Sequence, residues 1–200
     1  GGFTEQSEED LTGDPADAEH GDVLVMPALD VNDVGYVVAG GSGADIFNID
    51  GTLDGIIAYG KGRGDTFNIS VATDAIIIGG ITATDNNDNA GSDGIPDADL
   101  NVFNYGSLDL TGTSGIYASI YSYYDDVDMK YETSANVRDT SDSNSATWGN
   151  GLWDVGAFVG SVDNDTIYGT GTYLNYLYGG SGDDTIVING TSKILTINGD

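Results

Sequence analysis

Apolar residues along this chain come in short runs separated by turns of glycine and aspartate. VGYVVAG (34–40), DGIIAYG (54–60) and DAIIIGG (74–80) fall on one another at a displacement of 20 residues. Between them, ADIFNI (44–49) falls on GDTFNI (64–69) at the same displacement. Each unit therefore reads turn, strand, turn, strand. The runs are β-branched and aromatic, and too short for helices. The register returns near the C-terminus: GSVDNDTIYG (160–169) falls on GGSGDDTIVI (179–188) at 19 residues, and LNYLYGG (174–180) on ILTINGD (194–200) at 20.

A single two-strand rung cannot bury its apolar face, but like rungs stacked in register make a continuous core. The pattern predicts an all-β chain: a parallel β-solenoid of β-roll or β-helix type with rungs of about 20 residues and a rise of about 4.8 Å per rung. Residues 21–200 read as one solenoid domain. Residues 1–20 read as a flexible or arm-like acidic leader. Polar insertions interrupt the period near 81–99 and 132–151, and no segment reads as a helix. Asn48 and Asn68 occupy identical places and predict a ladder of side-chain amides that Asn104 extends. The wide rungs suit a core holding Phe47, Phe67 and Tyr59.

Glycine is 31 of 200 residues, roughly twice average usage, against 3 prolines, which fits many tight turns. Five Lys and Arg face 33 Asp and Glu, for a net charge of −28. That balance argues against nucleic acid and anionic lipid as partners and favours cations. Absence of cysteine excludes disulfides and thiolate metal sites. No apolar run is long enough for a helical membrane span. The first residues lack the charged-then-apolar pattern of a secretion signal, so an extracellular location implies processing or another export route.

The corners carry the candidate chemistry. Gly40, Gly41, Gly43 and Asp45 fit the pattern G-G-x-G-x-D-x-U, with Phe47 at the apolar position, and Gly179, Gly180, Gly182 and Asp184 fit it equally. Gly60, Gly62 and Asp65 repeat it with Arg63 at the fourth position, and Asp165 repeats it with Asp163 there. In these turns the chain resembles the RTX calcium-binding β-roll family. The resemblance covers about half the chain and implies Ca²⁺ held between successive turns by glycine carbonyls and the sixth-position aspartate. Its rungs, at 19 and 20 residues, are longer than the family's. Asp45 and Asp65 would then share one row of ions, and Asp165 and Asp184 another pair of sites. Because the second turn of each early rung lacks the motif, ions are expected mainly along one side. Gly/Asp turns also suit tight β-helix corners with no ion at all.

The 81–99 insertion holds a second candidate. With Gly94 at the sharp-turn position, Asn89, Asp93 and Asp97 stand at EF-hand-like ligand spacings, although Leu100 replaces the closing glutamate. SDGIPDAD (92–99) also resembles the acidic loops of thrombospondin type 3 repeats. Catalytic signals are sparse. His20 is the only histidine and lies in the leader, there is no cysteine nucleophile, and 33 acids make carboxylate pairs by chance.

Tyr117, Tyr121, Tyr123, Tyr124 and Tyr131, followed by Trp148 and Trp153, form an aromatic cluster. Alternation within a strand favours packing on the core; exposed, these rings would suit sugar or protein contacts. The last strand offers an open sheet edge, which favours head-to-tail self-association. The leading expectation is an extracellular or cell-surface Ca²⁺-binding structural protein, not an enzyme, that self-assembles into a surface layer, filament or biofilm matrix. The alternatives are an adhesin or glycan-binding module using the tyrosine-rich region, and a polysaccharide-active β-helix enzyme.

Overall fold

The computed structural model describes residues 23–26, 37–41, 43–50, 54–61, 64–80, 101–111, 114–125, 130–139, 146–171, 173–190 and 192–200. Among these residues there are fifteen strands and no helix. The strands are β1 (Val23–Met26), β2 (Val37–Ala39), β3 (Ile46–Ile49), β4 (Asp54–Tyr59), β5 (Thr66–Ile69), β6 (Asp74–Ile78), β7 (Val102–Asn104) and β8 (Tyr117–Asp125). There follow β9 (Lys130–Arg138), β10 (Gly149–Trp153), β11 (Ala157–Val159), β12 (Thr166–Thr170), β13 (Tyr173–Tyr178), β14 (Thr185–Asn189) and β15 (Lys193–Asn198).

They form two sheets, and the chain passes back and forth between them. The seven-stranded sheet has the order β1-β3-β5-β7-β11-β13-β15, and each of its pairings is parallel. The eight-stranded sheet has the order β2-β4-β6-β10-β9-β8-β12-β14. It is parallel except around β9, which pairs antiparallel with both β8 and β10. One position in the succession of turns is thus filled by a three-strand block in one sheet.

Identical residues stack because the register repeats. Phe47 faces Phe67, and Phe67 faces Phe103, in adjacent strands. Their rings stack at centroid distances of 4.6 and 5.0 Å, and all three are fully buried. Tyr105 and Phe158 continue the aromatic column at 5.6 Å. Ile56, Ala58, Ile77, Ala118, Ile120 and Leu152 close the core from the opposite sheet. The buried Tyr105 hydroxyl accepts a hydrogen bond from Asn150 Nδ2 at 2.9 Å. Beside the phenylalanines runs the amide ladder: Asn68 Nδ2 donates to Asn48 Oδ1 at 2.9 Å, and Asn104 Nδ2 to Asn68 Oδ1 at 3.0 Å.

Two expectations need correction. The 20-residue displacement fails inside β4: Asp54 faces Asp74, but Ile56 faces Ala75 and Tyr59 faces Ile78. Gly55, with φ of 82°, absorbs the extra residue as a bulge. The bulge sets buried Ile56 beside buried Ala75; unbroken register would set it beside Ile76, which points outward. Tyr59 lies on the outer face and is 37% exposed, so it is no part of the core.

Phe67→Ala should lower stability by about 3–5 kcal/mol, the cost of a buried aromatic truncation. Asn68→Ala, which removes two ladder bonds, should cost about 1–3 kcal/mol. Tyr59→Ala should stay within about 0.5 kcal/mol, because its ring packs outside. Urea unfolding of the three variants checks this ranking.

Candidate functional site

The four glycine and aspartate turns occupy two different corners. The 40–45 and 60–65 turns lead into β3 and β5 of the seven-stranded sheet, whereas the 160–165 and 179–184 turns lead into β12 and β14 of the other. All strands of the seven-stranded sheet run the same way, so these are opposite edges of the pair of sheets. The expectation of one motif-bearing side is therefore corrected. Before the three-strand block the motif marks one passage between sheets; after it, the motif marks the return passage.

Three of the four turn aspartates are buried, and Asp184 is half-buried. Asp45, Asp65 and Asp165 are at most 2% exposed. Carboxylates bond the backbone of the neighbouring turn: the Asp45 N–H donates to Asp65 Oδ1, and the Asp165 N–H to Asp184 Oδ1, both at 2.8 Å. Within its own turn Asp45 Oδ2 accepts from the Gly41 N–H at 2.7 Å. Asp165 accepts from the Ser161 N–H at 2.6 Å, the Ser161 hydroxyl at 2.6 Å and the Ile116 N–H at 2.7 Å.

The first glycine of each turn makes room for this arrangement. A Cβ on Gly40 would overlap Asp45 Oδ2 and crowd the Gly60 carbonyl. A Cβ on Gly60 would overlap Asp65 Oδ2 and the Gly79 carbonyl; on Gly160, Asp165 Oδ2 and the Gly179 carbonyl. Gly179 stands likewise between Asp184 Oδ2 and the Gly199 carbonyl. One carboxylate oxygen and the next rung's carbonyl oxygen thus converge beside each first glycine. Gly41, by contrast, has open space where a Cβ would stand. Gly43 is buried, and Gly180 and Gly182 both take φ of 108°, which side-chain-bearing residues rarely adopt.

At two turns a buried carboxylate oxygen is left without a hydrogen bond: Asp65 Oδ2 and Asp184 Oδ2. In the 60–65 turn the N–H equivalent to that of Gly41 belongs to Lys61, and it bonds the Gly79 carbonyl instead, at 3.1 Å. Asp65 is the group most strained by this. Burial pushes its pKa up from 3.8 to about 7; the hydrogen bond from the Asp45 N–H pulls it down, and the nearby Asp45 charge adds to the rise. Burial likewise raises Asp165 to about 6, against the lowering effect of its Ser161 and Ile116 bonds, with the Asp184 charge adding to the rise.

The donor set is one a hard cation accepts. Carboxylate and carbonyl oxygens meet where a buried anionic oxygen lacks a donor, and Ca²⁺ prefers such ligands. Among the described residues no three His, Cys, Asp or Glu side chains gather into a metal site, so an ion at these corners would draw mostly on backbone carbonyls. The orphaned oxygens do not follow the quality of the motif. They occur in one full match, at Asp184, and one degraded match, at Asp65. Asp163 uses Oδ2 to accept the Leu110 N–H at 2.7 Å. Gly62, Asn89, Asp93 and Asp97 lie outside the described residues.

Sequence reasoning passed over Asn101. It sits in the same column as Asp45 and Asp65, accepts the Asp65 N–H on Oδ1 at 2.9 Å, and donates Nδ2 to the Gly80 and Asp154 carbonyls at 3.3 and 3.1 Å. Its signal was present: NVFN (101–104) aligns with DIFN (45–48) and DTFN (65–68). At this corner an amide makes the bonds a carboxylate cannot, because it carries a donor.

No family model matches the chain, and the curated proteins and solved structures yield no match to it. The likeness to RTX repeats stands on the turns alone.

The aromatic cluster is arranged otherwise than expected. In β8, Ala118 and Ile120 face the core, while Tyr121 and Tyr123 are 39% and 41% exposed. Trp148 is buried, and Trp153 is 37% exposed. The alternation was legible, but the small and aliphatic residues Ala118 and Ile120 take the inner face.

Two outcomes test the corners. Without divalent ions, an acid whose folded pKa is raised favours the folded state most when protonated. Stability should therefore fall as pH rises from about 4 toward about 7, the window set by the shift of Asp65. Asp65→Asn, copying Asn101, should flatten that fall and gain about 1–3 kcal/mol at pH 7.5 in EDTA, measured by urea unfolding. Separately, Gly60→Ala should destabilise strongly and Gly41→Ala hardly at all in the metal-free protein, as read from thermal melts.

Proposed function

We propose that the chain is a calcium-stabilised β-solenoid with a structural role outside the cell. The two sheets are its long walls, and the glycine and aspartate turns are its corners. The observation that carries this reading is the pair of buried, donorless carboxylate oxygens at Asp65 and Asp184, each beside a backbone carbonyl. At Asp65 a divalent ion would neutralise a charge that burial otherwise penalises, the role a proton plays in its absence. Asp65 with the Gly79 carbonyl and Asp184 with the Gly199 carbonyl would hold it, the remaining ligands coming from carbonyls and water. Asp45 and Asp165 serve in this reading chiefly as caps of backbone N–H groups.

The charge of −28 supports the same conclusion, because a compact acidic chain gains most from bound cations. Self-association into a filament, surface layer or matrix belongs to the proposal. No catalytic role is part of this reading.

Circular dichroism and light scattering with and without EDTA, at fixed ionic strength, test it. The expected result is loss of β structure or of assembly on chelation at pH 7.5, restored by Ca²⁺ and not by NaCl. Equal restoration by NaCl, or indifference to EDTA, overturns it.

A further inference from the structure

The outer face of the eight-stranded sheet carries a feature that the corners do not explain. Residues in register across it form straight rows perpendicular to the strands. One row runs through Tyr121, Ser134, Trp153, Ile78 and Tyr59, on β8, β9, β10, β6 and β4 in turn. The three aromatic residues are 37–39% exposed and stand on every second strand. Their spacing along the row is two strand separations, about 10 Å.

The neighbouring row holds Asn136, Gly151, Ile76 and Ile57 on β9, β10, β6 and β4. Gly151 leaves that row bare at its centre, and the Trp153 ring occupies the vacancy: a Cβ there would meet the six-membered part of the indole at 2.8 Å. The indole therefore lies down over the sheet instead of standing up from it. Across all eight strands these two rows contain no Asp, Glu, Lys or Arg, in a chain with 33 acids. Beside them opens a shallow depression of about 360 Å³, lined by Asp74, Asn136, Arg138, Thr147, Gly149 and Gly151. Between Tyr121 and Trp153, Ser134 Oγ is buried and without a hydrogen-bond partner.

We propose that this face binds a neutral, extended β-1,4-linked polysaccharide laid across the strands. The argument is one of matching. Pyranose rings present flat C–H faces that pack on aromatic rings, and in a β-1,4 chain the same face recurs once per disaccharide. The aromatic period of about 10 Å is close to that length. The depression offers amide, hydroxyl, backbone and charged groups to sugar hydroxyls at the edge of the stacking surface. Charge selects among glycans: an acidic one would be repelled by a chain carrying −28, whereas a neutral one meets two rows without charge. This inference does not depend on the calcium reading.

The test is retention on microcrystalline cellulose and on chitin in the presence of Ca²⁺, with tryptophan fluorescence during titration of cellohexaose and chitohexaose. Retention on at least one matrix is expected, with a blue shift in emission that Trp153→Phe removes and Trp148→Phe preserves. Trp153→Ala and Tyr121→Ala should each weaken retention about tenfold, the scale of one lost stacking contact. Tyr176→Ala, on the other sheet, should leave it unchanged, and circular dichroism checks that every variant is folded. Absence of retention on both matrices overturns the proposal, as does retention that both Trp153→Ala and Tyr121→Ala leave intact. A fluorescence shift that depends on protein concentration without glycan also overturns it and assigns the face to a second copy.

Discussion

A carboxylate placed beneath its neighbour's backbone is the constraint on which the corners depend. Asp65 accepts the N–H of Asp45, Asp184 accepts that of Asp165, and Asn101 accepts that of Asp65. No turn in these columns is complete until the next one in the stack supplies its acceptor. The glycine that opens each turn is part of the same device, since any side chain there would displace either the carboxylate or the adjoining carbonyl. Local sequence and tertiary stacking are therefore enforced together. Taking a negative charge out of water is the liability of this construction, and it falls most heavily on Asp65.

Between the corners, the interior repeats itself level by level. Phenylalanine stacks on phenylalanine and asparagine bonds asparagine, because parallel strands in constant register bring like residues together. The block formed by β8, β9 and β10 interrupts the alternation between sheets without interrupting the core. Ala118, Ala135 and Leu152 continue the buried layer across it, and Asn150 ties it to both Tyr105 and the Ala75 N–H. The same block carries Trp153 and Tyr121 on its outer surface, so the departure from the repeat is also where the surface becomes distinctive.

Much of the architecture was legible in the sequence. Displacements of 19 and 20 residues near the C-terminus reappear as the pairing of Ile167 with Ile186 and of Leu174 with Ile194. The amide ladder was readable because its members recur at one phase of the repeat. What escaped was information a displacement does not contain. It records that two segments are neighbours, not which sheet they join, so the change of corner between Asp65 and Asp165 was invisible. It also passes over a single inserted residue such as Gly55. Alternation in β8 announced two unlike faces, but not which of them turns inward: Ala118 and Ile120 are buried, and Tyr121 and Tyr123 are exposed. The burial of the aspartates was hidden for another reason: a motif names ligand types and says nothing of the N–H groups competing for the same oxygens.

In the seven-stranded sheet every pairing is parallel, so the hydrogen bonds between neighbouring strands lie across the strands, from β1 to β15. Tension applied along that line would load those bonds end-on, one strand pair after another, whereas tension along the strands would load them together in shear.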